Sequence, residues 1–236
     1  MNKRAVILAG GKGTRLRPYT VVLPKPLMPI GEYPILEVIV RQLVERGFEH
    51  ITMAVNHQSD LIKAFFQNGE KWGVKIDYSM EDRPLGTIAP LHFISDLPES
   101  FLVMNGDILT DIDYANFFNE HIDGSAIYSI SAVERKHIVD YGVLESSKEG
   151  ALSSFKEKPE IKYTVSMGIY MMDRSVLKLV PKNTAFGFDQ LMHIMLKREL
   201  KVNVKMFKGY WLDIGRPDDY HIAIEKFEDK KEIFLK

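Results

Sequence analysis

Apolar and polar positions follow a repeating rhythm along the first half of the chain. Residues 4–8 (Arg4-Ala5-Val6-Ile7-Leu8) form a short, nearly uninterrupted apolar run that predicts a buried strand. Residues 35–46 instead place Leu36, Ile39, Val40, Leu43 and Val44 at helical spacing. The pair then recurs: the β-branched run 51–55 predicts a strand, and Ser59-Asp60 opens a helix carrying Leu61, Ile62, Phe65 and Phe66. A strand at 75–78, a helix near 87–94 and the apolar strand 101–104 continue the alternation. Strands alternating with helices predict an α/β fold, a Rossmann-like three-layer sandwich around a mixed, mostly parallel central sheet.

After Asp113 the texture changes. Residues 126–133, 141–144, 152–155 and 165–172 are strand-like with few helical runs between them, so the second half is expected to be β-rich. A helix through Gln190, Leu191, Ile194, Met195 and Leu196, a strand at 202–207 and a helix from about 218 to 228 close the pattern. Pro217 suits the first turn of that last helix. The lysine-rich stretch 229–236 is expected to fray. No linker, internal repeat or low-complexity tract interrupts the 236 residues, which fit a single large domain, 1–236.

Composition narrows the classes. With 31 basic and 32 acidic residues the net charge is −1, which argues against a general polyanion binder, and no segment offers the local basic face that nucleic acid would need. The absence of cysteine removes disulfides, thiolate metal sites and thiol nucleophiles together and fits a reducing compartment. The apolar run 5–9 is too short for a secretory core, and none approaches the ~18 residues of a membrane helix. A cytoplasmic protein without a membrane partner is expected. The histidines show no metal spacing, since His57, His92, His121 and His137 fall on different predicted elements. Met171, Met172, Met192 and Met195 read as core fillers.

Ligands of open α/β sheets sit beyond the carboxyl ends of the strands. Four segments fall there: Gly10-Gly11, Asn56-His57, the loop 81–87 and Asn105-Gly106-Asp107. The first belongs to Leu8-Ala9-Gly10-Gly11-Lys12-Gly13-Thr14-Arg15-Leu16-Arg17-Pro18, followed by Leu23-Pro24-Lys25-Pro26-Leu27. Glycines let main-chain N–H groups turn toward anionic oxygens, and Lys12, Arg15, Arg17 and Lys25 supply charge, so this stretch is built to grip a polyphosphate. It is not a P-loop, because no glycine-lysine-hydroxyl run occurs at the required spacing. Nor is it the dinucleotide fingerprint, because Leu16 stands where the third glycine belongs.

The whole string resembles the signature of sugar-1-phosphate nucleotidyltransferases, the NDP-sugar pyrophosphorylases: Gly-Gly-x-Gly-Thr-Arg-Leu-x-Pro-x-Thr, a short gap, then Pro-Lys-Pro. The resemblance runs from Ala5 to about Phe227 and implies transfer of a nucleoside monophosphate from an NTP to a sugar 1-phosphate, with release of pyrophosphate. It implies a nucleotide-binding half at about 1–110 and a sugar-phosphate-binding half at about 111–236. On the nucleotide side it points to Leu8, Gly10, Gly11, Gly13, Thr14, Arg15 and Lys25, with Arg15, Lys25 and Asp107 in catalytic roles. Asp107 of Asn-Gly-Asp and Asp213 of Trp211-Leu212-Asp213-Ile214-Gly215 match the aspartates that hold catalytic Mg²⁺. Read from spacing alone, Asp107 is equally a turn or helix-capping residue.

Tyr141-Gly142-Val143 and Glu157-Lys158-Pro159 resemble the family's sugar-phosphate segments, which assigns Gly142, Glu157 and Lys158 to that substrate. Ser166-Met167-Gly168 stands where those enzymes often carry Asn-x-Gly, so Ser166 is the corresponding residue and the sugar is left open. Glu81-Asp82-Arg83-Pro84-Leu85-Gly86-Thr87 resembles a segment of mannose- and heptose-1-phosphate guanylyltransferases. Glu81, Gly86 and Thr87 are thereby expected at the base, with guanine preferred and uracil or thymine open. Transfer to a non-sugar phosphate such as phosphocholine, and a nucleotide-sensing homologue without turnover, stay as alternatives. Asp189 and Trp211 are expected near the pocket or in the core. Self-association is left open. The implied product would feed surface polysaccharide or glycoconjugate synthesis.

Overall fold

The computed structural model describes residues 2–56, 59–81 and 83–235. His57 and Asp82 lie outside the described residues. The chain begins with β1 (Lys3–Leu8), then a glycine-rich loop, the two-residue strands β2 (Pro29–Ile30) and β3 (Tyr33–Pro34), and helix α1 (Ile35–Glu45). Strand β4 (Phe48–Val55), helix α2 (Ser59–Phe66), β5 (Lys75–Met80), β6 (Ser100–Asn105) and β7 (Ile108–Thr110) follow. Helix α3 (Tyr114–Ile122) leads into β8 (Tyr128–Ile138), β9 (Val143–Ser146), β10 (Leu152–Lys156) and the long β11 (Glu160–Asp173). Helix α4 (Phe188–Lys197), β12 (Val202–Met206), β13 (Trp211–Asp213), α5 (Pro217–Asp229) and α6 (Lys231–Phe234) complete it.

Seven strands form one sheet in the order β12-β8-β11-β6-β1-β4-β5. Strand β11 alone runs against its neighbours β6 and β8; the other pairings are parallel, which gives the expected mixed, mostly parallel sheet. Strand alternation sends successive side chains to opposite faces. Ala5, Ile7, Met53, Leu102, Met104, Ile169 and Met171 therefore pack with α1, α2, α3 and α5, whereas Val6, Val103, Tyr170 and Met172 pack with α4. Burying one such aliphatic side chain is worth roughly 1.5–3 kcal/mol, so these two faces hold the sheet rigid. Among the described residues, no helix is long and apolar enough to cross a membrane.

Three expectations are corrected. The helix near 87–94 is only a 3₁₀ segment, Ala89–Phe93, because Pro90 removes a backbone donor at its start. Helix α3 is capped not by Asp107 but by Asp113, whose carboxylate accepts from the Asn116 N–H at 3.0 Å. The carboxy-terminal stretch does not fray throughout: α6 folds back and buries Phe234, whose ring stacks on Phe227 at 6.0 Å.

Candidate active site

From β1 the chain passes to β4 and β5 on one side, then returns to place β6 on the other side of β1. The loops leaving β1 and β6 consequently part at the carboxyl edge of the sheet and leave a crevice. A cleft of about 520 Å³ opens there. Leu8, Gly10, Gly11, Lys25, Glu81, Gly86, Thr87 and Asp107, all picked out by the sequence, line it together with Lys12.

Lys25 sits on the single 3₁₀ turn Lys25–Leu27, entered through Pro24, and is only 8 % exposed. Its ammonium pairs with Oδ2 of Asp107. The other carboxylate oxygen, Oδ1 of Asp107, is buried without a hydrogen-bond partner among the described residues. Strand β13 lies antiparallel to β7 with Asp213 opposite Ile108, and the Ile214 N–H donates to the Asp107 carbonyl at 3.0 Å, which carries Asp213 to the side of Asp107. Burial first, and the Asp107 charge second, push the Asp213 carboxyl above its ordinary range; Lys25 and Arg15 pull the other way. A buried, unpartnered carboxylate oxygen beside a second carboxylate that resists ionisation is a donor set suited to a hard divalent cation.

Gly13, Thr14 and Arg15 stand just outside the cleft lining. Gly13 has φ +60°, and the Thr20 hydroxyl donates to its carbonyl at 2.7 Å. The buried Leu16 pins the turn Thr14–Leu16, leaving Arg15 exposed and acting on Asp213 from the outer side. Asp219, in the first turn of α5, also raises the Asp213 carboxyl and was not singled out by the sequence.

The other end of the cleft is formed by the loop after β5. The Glu81 carboxylate accepts from the Leu85 N–H at 3.2 Å; burial pushes this carboxyl up and that bond partly offsets it. Gly86 has φ +83°, and a Cβ there would stand 2.7 Å from the Phe186 carbonyl oxygen, so only glycine fits. Residues 183–188, to which the sequence assigned no role, clasp this loop. The Phe186 N–H donates to Leu85 at 2.8 Å, Ile88 to Phe186 at 3.2 Å, Phe188 to the Thr87 hydroxyl at 3.0 Å, and Arg83 to the Asn183 carbonyl at 2.8 Å. Asn56, Ser79 and Asn105 also line the cleft, and the Ser79 hydroxyl is buried with no partner among the described residues. Asn56 directly follows β4 and Asn105 ends β6, as the sequence placed them, whereas Ser79 is the penultimate residue of β5 and was not singled out.

The sugar-phosphate candidates lie elsewhere. Gly142, Glu157 and Lys158 are exposed on an arm made of the outer ends of β8 and β11 and the hairpin β9–β10, and none lines the cleft. A Cβ on Gly142 would meet the Phe155 ring at 2.7 Å and the Glu157 carboxylate at 3.2 Å, so these segments are in contact. Lys158 takes φ +41°. The Ser166 hydroxyl donates to the Tyr170 hydroxyl at 3.1 Å and accepts from the Gly168 N–H at 3.2 Å. Trp211 is half-buried: its indole N–H donates to the Met167 carbonyl at 2.9 Å and the Arg135 guanidinium lies 4.9 Å from its ring. Asp189 is exposed on the first turn of α4 and does not line the cleft.

One histidine cluster escaped the spacing argument. His50 contacts Asp77 at 2.6 Å, with Asp96 nearby, toward the amino ends of β1 and β4. The buried Arg4 lies among them, 2.9 Å from Asp96 and 3.7 Å from Asp77, so a side-chain cation already serves these carboxylates. Met171, Met172 and Met195 are fully buried, as expected of core fillers.

The sequence model of the nucleotidyl transferase family matches residues 4–230. The UTP–glucose-1-phosphate uridylyltransferase of Synechocystis is 31 % identical over 94 % of the chain, which spans 62 % of that relative's length. The D-glycero-alpha-D-manno-heptose 1-phosphate guanylyltransferase of Campylobacter jejuni is 32 % identical, with 92 % of the chain and 97 % of the relative covered. Among solved structures, HddC from Yersinia pseudotuberculosis superposes with a TM-score of 0.75 at 28 % identity, covering 95 % of this chain and 99 % of that one. HddC has also been solved complexed with GMP-PN.

Proposed function

The chain belongs to the nucleotidyl transferase family, and from that premise we propose that it transfers a nucleoside monophosphate from an NTP to a sugar 1-phosphate, releasing pyrophosphate and an NDP-sugar. The observation that carries this reading is the pair of the buried Lys25 and the half-buried Asp107 beside Asp213, at the crevice between the glycine loop and β6.

The chemistry asks little of side-chain bases. A phosphate monoester has a second pKa near ~6, so the attacking oxygen is already anionic at neutral pH. What opposes reaction is repulsion between two anions and the charge collecting on the departing pyrophosphate. Fixed positive charge, backbone donors and in-line positioning are therefore the useful contributions. Gly10, Gly11 and Gly13 offer N–H groups to the triphosphate, Arg15 and Lys25 neutralise the phosphates, and Leu8 floors the cleft.

Nucleotidyltransferases of this family generally use a divalent metal. We read the ion as Mg²⁺, held by Asp107 and Asp213, where it would polarise the phosphate under attack. Were such an ion held there, the Lys25 ammonium would be available to a phosphate oxygen in place of Asp107.

Glu81 is assigned to accept from a guanine N1–H and amino group, with Gly86 and Thr87 against the base or ribose, and the names of two relatives favour a guanine nucleotide. Uridylyl or thymidylyl transfer is the alternative, in keeping with the Synechocystis relative. Gly142, Glu157, Lys158 and Ser166 are assigned to the sugar phosphate. The Ser166 hydroxyl already serves Tyr170 and Gly168, so the identity of the sugar is left to experiment. The chain is taken as one catalytic unit with its nucleotide half at about 1–110, working in the cytoplasm.

The test is pyrophosphate release across the four common NTPs and a panel of sugar 1-phosphates, with and without Mg²⁺. Metal-dependent turnover with GTP and a manno-configured sugar phosphate is expected. Turnover with phosphocholine and with no sugar phosphate overturns the substrate assignment. Tight nucleotide binding without any turnover supports a sensor instead.

A further inference from the structure

A line of contacts through Phe188 joins the cleft to β11. Phe188 is the first residue of α4, and its backbone N–H donates to the Thr87 hydroxyl at 3.0 Å, which ties the start of the helix to the loop that lines the cleft. Its ring stacks on Tyr170 with centroids 4.6 Å apart and planes inclined by 25°. Aromatic rings in contact at this spacing attract one another beyond the area they bury, and Tyr128 backs the same cluster at 6.4 Å from Phe188. Tyr170 is only 7 % exposed, and its hydroxyl accepts from the Ser166 hydroxyl at 3.1 Å.

The far end of this line is an irregularity in the sheet. The pairing of β11 with β8 shifts register between Ser166 and Tyr170, and such bulges re-aim side chains beside functional sites. This one is held from two sides. The Trp211 indole N–H donates to the Met167 carbonyl at 2.9 Å, and Gly168 packs so closely on Asn105, a residue of the cleft wall, that a Cβ would stand 2.6 Å from the amide nitrogen. A serine hydroxyl has one hydrogen and two lone pairs. In Ser166 the hydrogen goes to Tyr170 and one lone pair takes the Gly168 N–H at 3.2 Å, which leaves one acceptor position. While Tyr170 keeps its place, Ser166 meets a sugar hydroxyl as an acceptor only.

We propose that Phe188 is a positioning residue that couples the two substrates: a nucleotide against Thr87 fixes Phe188, the Phe188 ring fixes Tyr170, and Tyr170 holds Ser166 in the orientation that accepts from the sugar. This coupling rests on the proposed transfer reaction and its substrate assignments. The Thr87 hydroxyl accepts from Phe188 and keeps its own hydrogen for the nucleotide. Donating that hydrogen makes its oxygen a better acceptor, because hydrogen bonds in a chain polarise one another. Coupling between sites is a differential affinity and is reciprocal, so the sugar phosphate must tighten the nucleotide by the factor it gains. A line of contacts carries coupling only if breaking it changes the linkage rather than each affinity alone. Phe188 offers that break at a residue outside the cleft lining.

Isothermal titration of the full chain with mannose 1-phosphate or glucose 1-phosphate tests this, in Mg²⁺, with and without a saturating α,β-methylene analogue of GTP or UTP, whose P–C bond blocks turnover. In the wild type the sugar phosphate should bind about 10-fold tighter with the analogue present, and the analogue should gain the same factor from the sugar phosphate. Phe188→Ala should cut that factor to about 2-fold or less, and Phe188→Tyr, which keeps the ring, should restore it. Thr87→Val keeps every ring and removes the acceptor hydroxyl; it should lose the coupling as well, and it stands in should Phe188→Ala fail to fold. A purely structural role would weaken the sugar phosphate equally with and without the analogue. An unchanged factor in Phe188→Ala or Thr87→Val, or no coupling in a wild type that binds both ligands, overturns the inference and leaves the activity standing. A wild type that binds neither analogue overturns the activity and the inference together.

Discussion

The cleft rim proposed for the nucleotide and the arm proposed for the sugar phosphate are held in place by different kinds of structure. On the rim, Asp107 follows a strand buried on both faces, Lys25 is itself nearly buried, and the base loop is clasped by residues 183–188. On the arm, Gly142, Glu157 and Lys158 project on ribbons whose side chains mostly meet solvent, tied to the body by the Arg135–Trp211 stack and by strand pairing. A charged group meant to stabilise a developing anion must be fixed before the reaction, whereas a group that binds a varied sugar can sit on a detachable element. Substitutions on the rim should therefore disturb fold and rate together, and those on the arm should separate them.

The largest expected contrast is catalytic. Asp107→Ala removes one candidate metal ligand and strands a buried ammonium, so kcat should fall at least ~10²-fold, the scale of losing one electrostatic stabiliser. Near-wild-type turnover in steady-state assays would remove Asp107 from the chemistry. Next come two glycines that differ in what their added methyl would strike. Gly86→Ala drives a Cβ into the Phe186 backbone at positive φ, and strain of ~1–3 kcal/mol should lower Tm by several degrees and raise the NTP KM. Gly142→Ala meets the Phe155 ring and the Glu157 carboxylate, both exposed side chains that can swing aside, so calorimetry should find Tm within about 1–2 °C of wild type, a cost below ~0.5 kcal/mol. Equal losses of Tm in the two variants would erase the distinction between rim and arm.

A smaller effect is expected at Lys158. Removing a charged hydrogen-bond donor worth ~1.5–3 kcal/mol should raise the sugar-phosphate KM about 10-fold or more, with the NTP KM unchanged. The reverse pattern would mean that the subsites are exchanged. The smallest effect concerns stability at Asp213. Its carboxyl titrates above the ordinary Asp range in the folded, metal-free protein, so between those two values the folded state binds the proton that the unfolded state has lost. Stability from this group is present at low pH and declines as pH rises through the raised folded value. Asp213→Asn should thus stabilise the metal-free fold slightly at pH 7 and not at pH 3, as measured by urea unfolding. Destabilisation at pH 7 would show that the two carboxylates do not repel.

The glycine loop and the strand-end carboxylates were legible because their chemistry is local: a short apolar strand followed by a turn of fixed composition places its own loop at the sheet edge. Leu8 through Gly11, Lys25, Glu81, Gly86, Thr87 and Asp107 meet in one cleft for that reason. Contacts made by chain return were not legible. Residues 183–188 reach the base loop from about 100 positions away, and nothing in Asn183, Phe186 or Phe188 marks them as its clasp. Helix α3 was legible only at its start near Asp113, because its buried face is Tyr114, Phe117, Phe118 and His121, residues that suit a strand equally well. The buried Phe234 sat among charged neighbours that read as a frayed end. Nor could spacing show that Gly142, Glu157 and Lys158 stand on an arm away from the cleft.

The most direct test of the central claim is a crystal of the protein soaked with GTP and Mg²⁺. The triphosphate is expected along Gly10, Gly11 and Gly13, with the ion about 2.0–2.1 Å from oxygens of Asp107 and Asp213. A triphosphate pointing into bulk solvent away from those glycines, or an ion that touches neither carboxylate, would contradict it.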